Sequence, residues 1–255
     1  MRVLILFPGS AGYYPYCAGK GRRLLTFLTE NGIDREMFEY SGKSSGTLLA
    51  VSFSLGIPSE EIMACMRSTL IPQSSNTLAS NVLTILFQNR DYLTAVERIF
   101  GPLWRKYARR SLGPGHFHLS VGKKRGVSDY QPVIISDHTS LDDVMETVLT
   151  GIYVPMITGD QQKFRFHKVR KFYGCDPIDE AQYADLPDDD YDLKIYVSLP
   201  TDASRRPTLA DWIPSLNPAL IEELYERGCR DVTEDRMRSI LKAFQNKVGC
   251  QKFNL

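Results

Sequence analysis

Histidine is scarce in this chain of 255 residues and unevenly placed: His116, His118, His138 and His167 are the four present, and none follows His167. Also missing is any Cys-x-x-Cys pair. The five cysteines, Cys17, Cys65, Cys175, Cys229 and Cys250, are odd in number and widely scattered. That argues against a zinc ribbon, a dithiol redox motif or a disulfide framework, and fits reduced thiols in the cytoplasm. No apolar run is long enough to span a bilayer. The run at the N-terminus, Val3 to Phe7, meets Pro8-Gly9 at once and is too short for a secretory leader. The expected location is therefore cytoplasmic, with any membrane contact peripheral. A formal net charge of +1 argues against nucleic acid as a partner.

The chain does have the composition of a globular protein, with 43% hydrophobic and 24% charged residues. Its length suits one domain over 1–255, with C-terminal helices at 218–247 packed on it. Arg2 to Phe7 is a continuous β-favouring run, as in a strand buried on both faces. It leads through Pro8-Gly-Ser-Ala-Gly12 to a helical pattern from Gly19 to Asn31-Gly32. There Lys20, Arg22 and Arg23 would sit against the dipole of the first turn. A second apolar segment, Met37 to Tyr40, leads through Ser41-Gly-Lys-Ser-Ser-Gly46 to an apolar helix ending at Gly56-Ile57-Pro58. Further strands are expected at 117–121, 132–136 and 193–199, and further helices at 91–110, 141–150, 218–227 and 233–247, the last two divided by Gly228. Strand, turn and helix in alternation predict an α/β fold with a mainly parallel central sheet and helices on both faces.

Gly42-Lys43-Ser44-Ser45-Gly46 fits G-x-S-x-G, the nucleophile elbow, between an expected strand and an expected helix. Such a turn exposes Ser44 at a helix N-terminus, where developing negative charge is stabilised. The Gly-Lys-Ser within it is not a P-loop, because Met37 stands where the first glycine belongs. A serine nucleophile needs a base. The α/β-hydrolase order requires a late histidine, and the gap after His167 removes it. The base is therefore expected to be a carboxylate. His116 and His118, two apart on an expected strand, lack an evident third ligand, so neither a metal nor a cofactor is expected.

Four stretches in this order resemble the patatin-like phospholipase family, particularly its adipose triglyceride lipase and adiponutrin branch. Phe7-Pro-Gly-Ser-Ala-Gly-Tyr-Tyr-Pro-Tyr-Cys-Ala-Gly19 is similar to the family's glycine-rich oxyanion loop. The elbow and its helix, ending Leu-Gly-Ile-Pro58-Ser-Glu-Glu, match the nucleophile segment. Leu149-Thr-Gly-Ile-Tyr-Val-Pro155 resembles the segment before the catalytic aspartate, and Glu223 to Asp231 the late helix. The resemblance implies a three-layer sandwich and a lipid acyl hydrolase, of phospholipase A or acylglycerol lipase type, using a Ser-Asp dyad without metal or cofactor. Ser44 is then the nucleophile, flanked by the elbow glycines Gly42 and Gly46. Gly9, Ser10 and Ala11 supply the backbone oxyanion hole, and phospholipid or acylglycerol is the substrate. Counting back from Asp185-Leu186-Pro187, the matching carboxylate is Asp179, with Asp176 as the fallback. Two departures stand out: Glu180 replaces the glycine after the catalytic aspartate, and Tyr14 falls where it would narrow the acyl site.

The basic cluster Lys163, Arg165, Lys168, Arg170 and Lys171 is expected to meet lipid headgroups at a membrane or lipid-droplet surface. The departures motivate an alternative: a catalytically inactive patatin-like protein that binds lipid or a protein partner. A third reading is a Ser-His esterase using His138 or His167.

Overall fold

The computed structural model describes residues 1–70, 90–108, 117–127, 129–154, 164–177, 186–201, 218–246 and 251–255. Eight strands form its sheet among these residues: β1 (Val3–Phe7), β2 (Phe38–Lys43), β3 (Phe117–Lys124), β4 (Tyr130–Ile135), β5 (Arg165–His167), β6 (Phe172–Cys175), β7 (Leu193–Tyr196) and β8 (Gln251–Asn254). The helices are α1 (Tyr14–Glu30), α2 (Gly46–Ser54), α3 (Ser59–Leu70), α4 (Arg90–Ala108), α5 (Leu141–Gly151), α6 (Pro218–Asp231) and α7 (Glu234–Asn246). The path across the sheet is β5-β6-β3-β2-β1-β7-β8, and β4 pairs with β3. Strands β8, β7, β1, β2 and β3 run parallel, whereas β4, β6 and β5 add an antiparallel edge.

The apolar run at the N-terminus becomes the central strand for the reason its composition suggests: every residue of β1 is buried. Val3, Ile5 and Phe7 face a large core to which all seven helices contribute, while Leu4 and Leu6 pack with Tyr191 on the other face. Among the described residues no helix joins that second cluster, so the expected second layer of helices is not part of the described structure.

Two local expectations are corrected. Helix α1 begins at Tyr14 rather than Gly19, with Pro15 in its first turn, where a missing N–H leaves no hydrogen bond unmade. Lys20, Arg22 and Arg23 therefore lie beyond the first turn. Lys20 is buried and donates to the main-chain oxygens of Ser198 (3.2 Å) and Leu255 (2.7 Å). Gly228 does not separate the closing helices but lies inside α6. A Cβ built on it would stand 2.1 Å from the Tyr16 carbonyl oxygen, and one built on Gly19 the same 2.1 Å from that of Tyr225. The pair lets the backbones of α1 and α6 touch.

Strand register decides what meets at this end of the sheet. Strand β4 pairs with β3 over 119–124, so β2 (opposite 117–120) and β6 (opposite 122–123) must both occupy the other edge of β3. They lie end to end. Lys43 pairs with Ser120 and Cys175 with Gly122, so the next residue of each strand, Ser44 and Asp176, arrives from opposite directions beside Val121.

Candidate active site

The chain passes from β2 into α2 through a turn with no room for side chains at its flanks. A Cβ on Gly42 would lie 2.5 Å from the Gly46 carbonyl oxygen, and one on Gly46 would lie 2.5 Å from that of Pro8. Between them Ser44 has φ of 51°, the left-handed region. A non-glycine residue there stores on the order of 1–3 kcal/mol, which the surrounding structure must offset. The backbone N–H and the hydroxyl of Thr47 both donate to the Ser44 carbonyl, at 2.9 and 2.6 Å, and fix the turn to the first turn of α2. Ser44 is half-buried at the positive end of that helix.

Asp176 is 4% exposed, and its N–H donates to the Tyr153 carbonyl at 2.9 Å. Strand register places its carboxyl beside the Ser44 side chain. Burial pushes the Asp176 carboxyl up to about 7, against the opposing pull of the Ser44 side chain and of the Lys43 charge. Oδ1 of Asp176 has no hydrogen-bond partner among the described residues. A carboxyl shifted this way sits where a general base works at neutral pH. Lys43, itself buried, was not singled out by the sequence reading, because it occupies a variable position of the elbow pattern.

The loop before α1 lies against the elbow. A Cβ on Gly9 would come 3.3 Å from the Ser44 Cβ. Ser10 donates its N–H to Ser45 Oγ (3.2 Å), and the two hydroxyls share a 2.8 Å hydrogen bond. Ala11 opens the short 3-10 turn that leads into α1. The Ser10 N–H is thus committed to Ser45. Tyr14 is 1% exposed and belongs to the main core, so it packs inward.

Asp179 and Glu180 lie outside the described residues, as do Lys163 and His116. The rest of the basic cluster divides. Arg165 grips Glu146 with two hydrogen bonds of 2.7 and 3.1 Å, and Arg170 grips Asp143 with two of 2.7 Å. Both are engaged inside the fold, while Lys168 and Lys171 are exposed. Of the described histidines, His118 and His167 have hydrogen-bond partners of their own. His167 is 3.0 Å from the Thr147 hydroxyl and accepts the Arg170 N–H at 3.2 Å. His118 bonds Ser136 (2.7 Å) and Glu39 (2.9 Å). His138 stacks on Phe117, and burial pushes its ring down to about 4. Ser44 is not among the hydrogen-bond partners of any of them. Among the described residues, no group of three or more His, Cys, Asp or Glu is arranged to hold a metal ion, and no helix is long and apolar enough to cross a membrane.

No family model matches the chain, and no curated protein sequence does. Among solved structures, the crystal structure of VipD from Legionella pneumophila aligns with 99% of this chain at 9% identity and a TM-score of 0.39. The chain spans 60% of that protein's length.

Proposed function

We propose that the chain is a lipid acyl hydrolase of the patatin-like kind, with Ser44 as nucleophile and Asp176 as its base. The single observation behind this reading is their juxtaposition: a serine at positive φ on a glycine-flanked elbow, brought by strand register beside a buried carboxylate whose pKa is raised to about 7. In the proposed cycle Asp176 takes the hydroxyl proton as Ser44 Oγ bonds to the ester carbonyl carbon. The carbonyl oxygen becomes an oxyanion facing the N–H groups of Gly9 and Ala11 and the N-terminus of α2. Its collapse breaks the ester C–O bond, and the leaving alcohol receives the proton from Asp176. Water, deprotonated by the same carboxylate, then attacks the acyl-serine; the fatty acid leaves and Ser44 regains its proton.

Two oxygens and no imidazole thus carry both half-reactions. Asp176 suits this role because burial holds its proton affinity near that of a histidine, which the site does not contain. The reading extends the fold to the full patatin-like sandwich and the substrate to phospholipid or acylglycerol esters. The inactive alternative, a lipid- or protein-binding relative, draws support from the commitment of the Ser10 N–H to Ser45, which leaves one fewer oxyanion donor.

Turnover of p-nitrophenyl butyrate and of a phospholipid tests the proposal. Ser44→Ala abolishes turnover of both, Asp176→Asn lowers kcat/KM by about 10²–10⁴, and Asp179→Asn leaves it near wild type. Equal activity of wild type and Ser44→Ala defeats the proposal, and loss in Asp179→Asn with retention in Asp176→Asn reassigns the base.

A further inference from the structure

Two neighbouring hairpins, β3–β4 and β5–β6, project from the antiparallel edge of the sheet. Their faces differ in kind. Facing cross-strand residues lie on one side of a sheet, so Lys123, Gly174 and Arg165 form one rung and Lys124, Tyr173 and Phe166 the next, on the opposite face. The first face is internal: Arg165 pairs with Glu146 of α5, and His167 meets Thr147 of the same helix.

The second face is open. Phe166 is 40% exposed and Tyr173 48%, with ring centroids 5.1 Å apart. Lys124 lies over the Tyr173 ring and Lys171 over that of Phe166, at 5.4 and 6.0 Å. The hairpin tips add Val169, 40% exposed, and Val127, 91% exposed. Six large hydrophobic side chains are exposed among the described residues, and four of them are on these two hairpins.

The charge is as one-sided as the hydrophobicity. Lys124, Arg125 and Lys171 are exposed, and Asp129 is the sole carboxylate on either hairpin; Lys123 shares the internal face, and Lys168 lies 3.7 Å from Glu146 of α5. Exposed aromatic rings bordered by lysines, on an element with almost no acid, suit the interface of an anionic bilayer. The rings enter the headgroup layer, the ammonium groups meet phosphate and carboxylate, and the aliphatic lysine stems cover the rings. An acidic protein surface would match the charge but offers no comparable site for Phe166, Val169, Tyr173 and Val127 together.

We propose that this face of the two hairpins docks on anionic membrane. The proposal rests on the preceding reading for its purpose, delivery of lipid to Ser44, since strand β6 carries Tyr173 and then leads directly to Asp176. At about 3.3 Å per residue, the Cα of Asp176 lies at most about 10 Å along the chain from that of Tyr173.

Co-sedimentation with vesicles tests it, using phosphatidylcholine alone and phosphatidylcholine with phosphatidylserine. Wild type pellets with the anionic vesicles at low salt and releases as salt rises. Each lysine near the surface is worth about fivefold in binding, so Lys124→Ala combined with Lys171→Ala weakens it on the order of 25-fold. Phe166→Ala combined with Tyr173→Ala weakens it at least tenfold at unchanged salt dependence. Arg238→Ala, on α7, leaves binding as in wild type. These side chains are exposed, and matching melting temperatures confirm that the variants fold.

No binding to anionic vesicles at low salt, binding unaffected by both double variants, or retention on heparin without retention on vesicles would each overturn the proposal. Ser44→Ala binds vesicles as wild type does. A failed esterase reading therefore shows as turnover that survives Ser44→Ala, and a failed docking surface as a protein that hydrolyses a soluble ester but ignores vesicles.

Discussion

Replacing Asp176 by asparagine removes one ionisable group from the interior with almost no change in volume, and the consequence for stability can be worked out. In the folded chain burial lifts this carboxyl from 3.8 to about 7; in the unfolded chain it meets water and titrates near its ordinary value. The native state therefore holds the proton more tightly than the unfolded state between those limits. The sign follows: the contribution to stability is fully present below the unfolded value and is lost as pH rises through about 7. At about 1.4 kcal/mol per pH unit the loss is on the order of 4 kcal/mol. For a domain of this size that corresponds to on the order of 10 °C in Tm. Asp176→Asn has no such titration, so it should match wild type more nearly at pH 4 and melt well above it at pH 8, while losing esterase activity. Thermal melts of both proteins at pH 4, 5, 6, 7 and 8 measure the gap. A gap that stays constant across that range, or narrows with rising pH, would refute the argument that burial of this carboxyl opposes its ionisation.

Two further outcomes follow from the packing. Glycine to alanine in a helix interior ordinarily stabilises by about 1 kcal/mol, but Gly228→Ala should destabilise, because its Cβ would stand 2.1 Å from the Tyr16 carbonyl oxygen; urea denaturation gives the sign, and a gain in stability contradicts the close crossing of α1 and α6. Burial alone would raise the Glu39 carboxyl, but hydrogen bonds from His118, Tyr191 and Arg2 overcome it and bring the pKa down to about 2. Its stabilisation is present above pH 4.5 and is lost as pH falls through 2, so Glu39→Gln should be less stable than wild type at pH 7, with the difference shrinking in acid unfolding below pH 4.5.

Much of the site's first half could be read from residues alone. Ser44 and its glycines obey a pattern whose reason is local: the strand-to-helix turn admits no Cβ at 42 or 46, and the structure shows those positions filled by Gly46, Pro8 and Phe7 backbone. The β1 strand was equally plain, since full burial leaves a continuous apolar run. The proposed base is not legible in the same way. Asp176 follows a strand of only four residues, next to one of three, and such short pieces, rich in aromatics, carry no clear alternation. What brings Asp176 to Ser44 is non-local pairing with β3, which no spacing in the sequence records. The resemblance implied Asp179, which lies outside the described residues, with Asp176 as the fallback. The basic cluster was legible only in part: charge is visible in a sequence, but the internal carboxylates Glu146 and Asp143 that engage Arg165 and Arg170 are not. Gly228 read as a break because glycine usually is one, whereas here a neighbouring helix needs the space.

Strand β3 also sets a condition on assembly. Ser44 and Asp176 arrive from segments 132 positions apart in sequence, and they stand side by side only because two different strands stop on either side of Val121. Neither segment has any local preference for the other. A chain whose β6 has slipped by one residue turns Asp176 toward the opposite face, and a chain whose β6 is undocked keeps a strained serine with no acceptor. Since pairing over such separations is slow to form, the proposed hydrolytic capacity would switch on only once the edge of the sheet closes. Partly folded molecules would then be silent toward lipid, with no weakly active stage between.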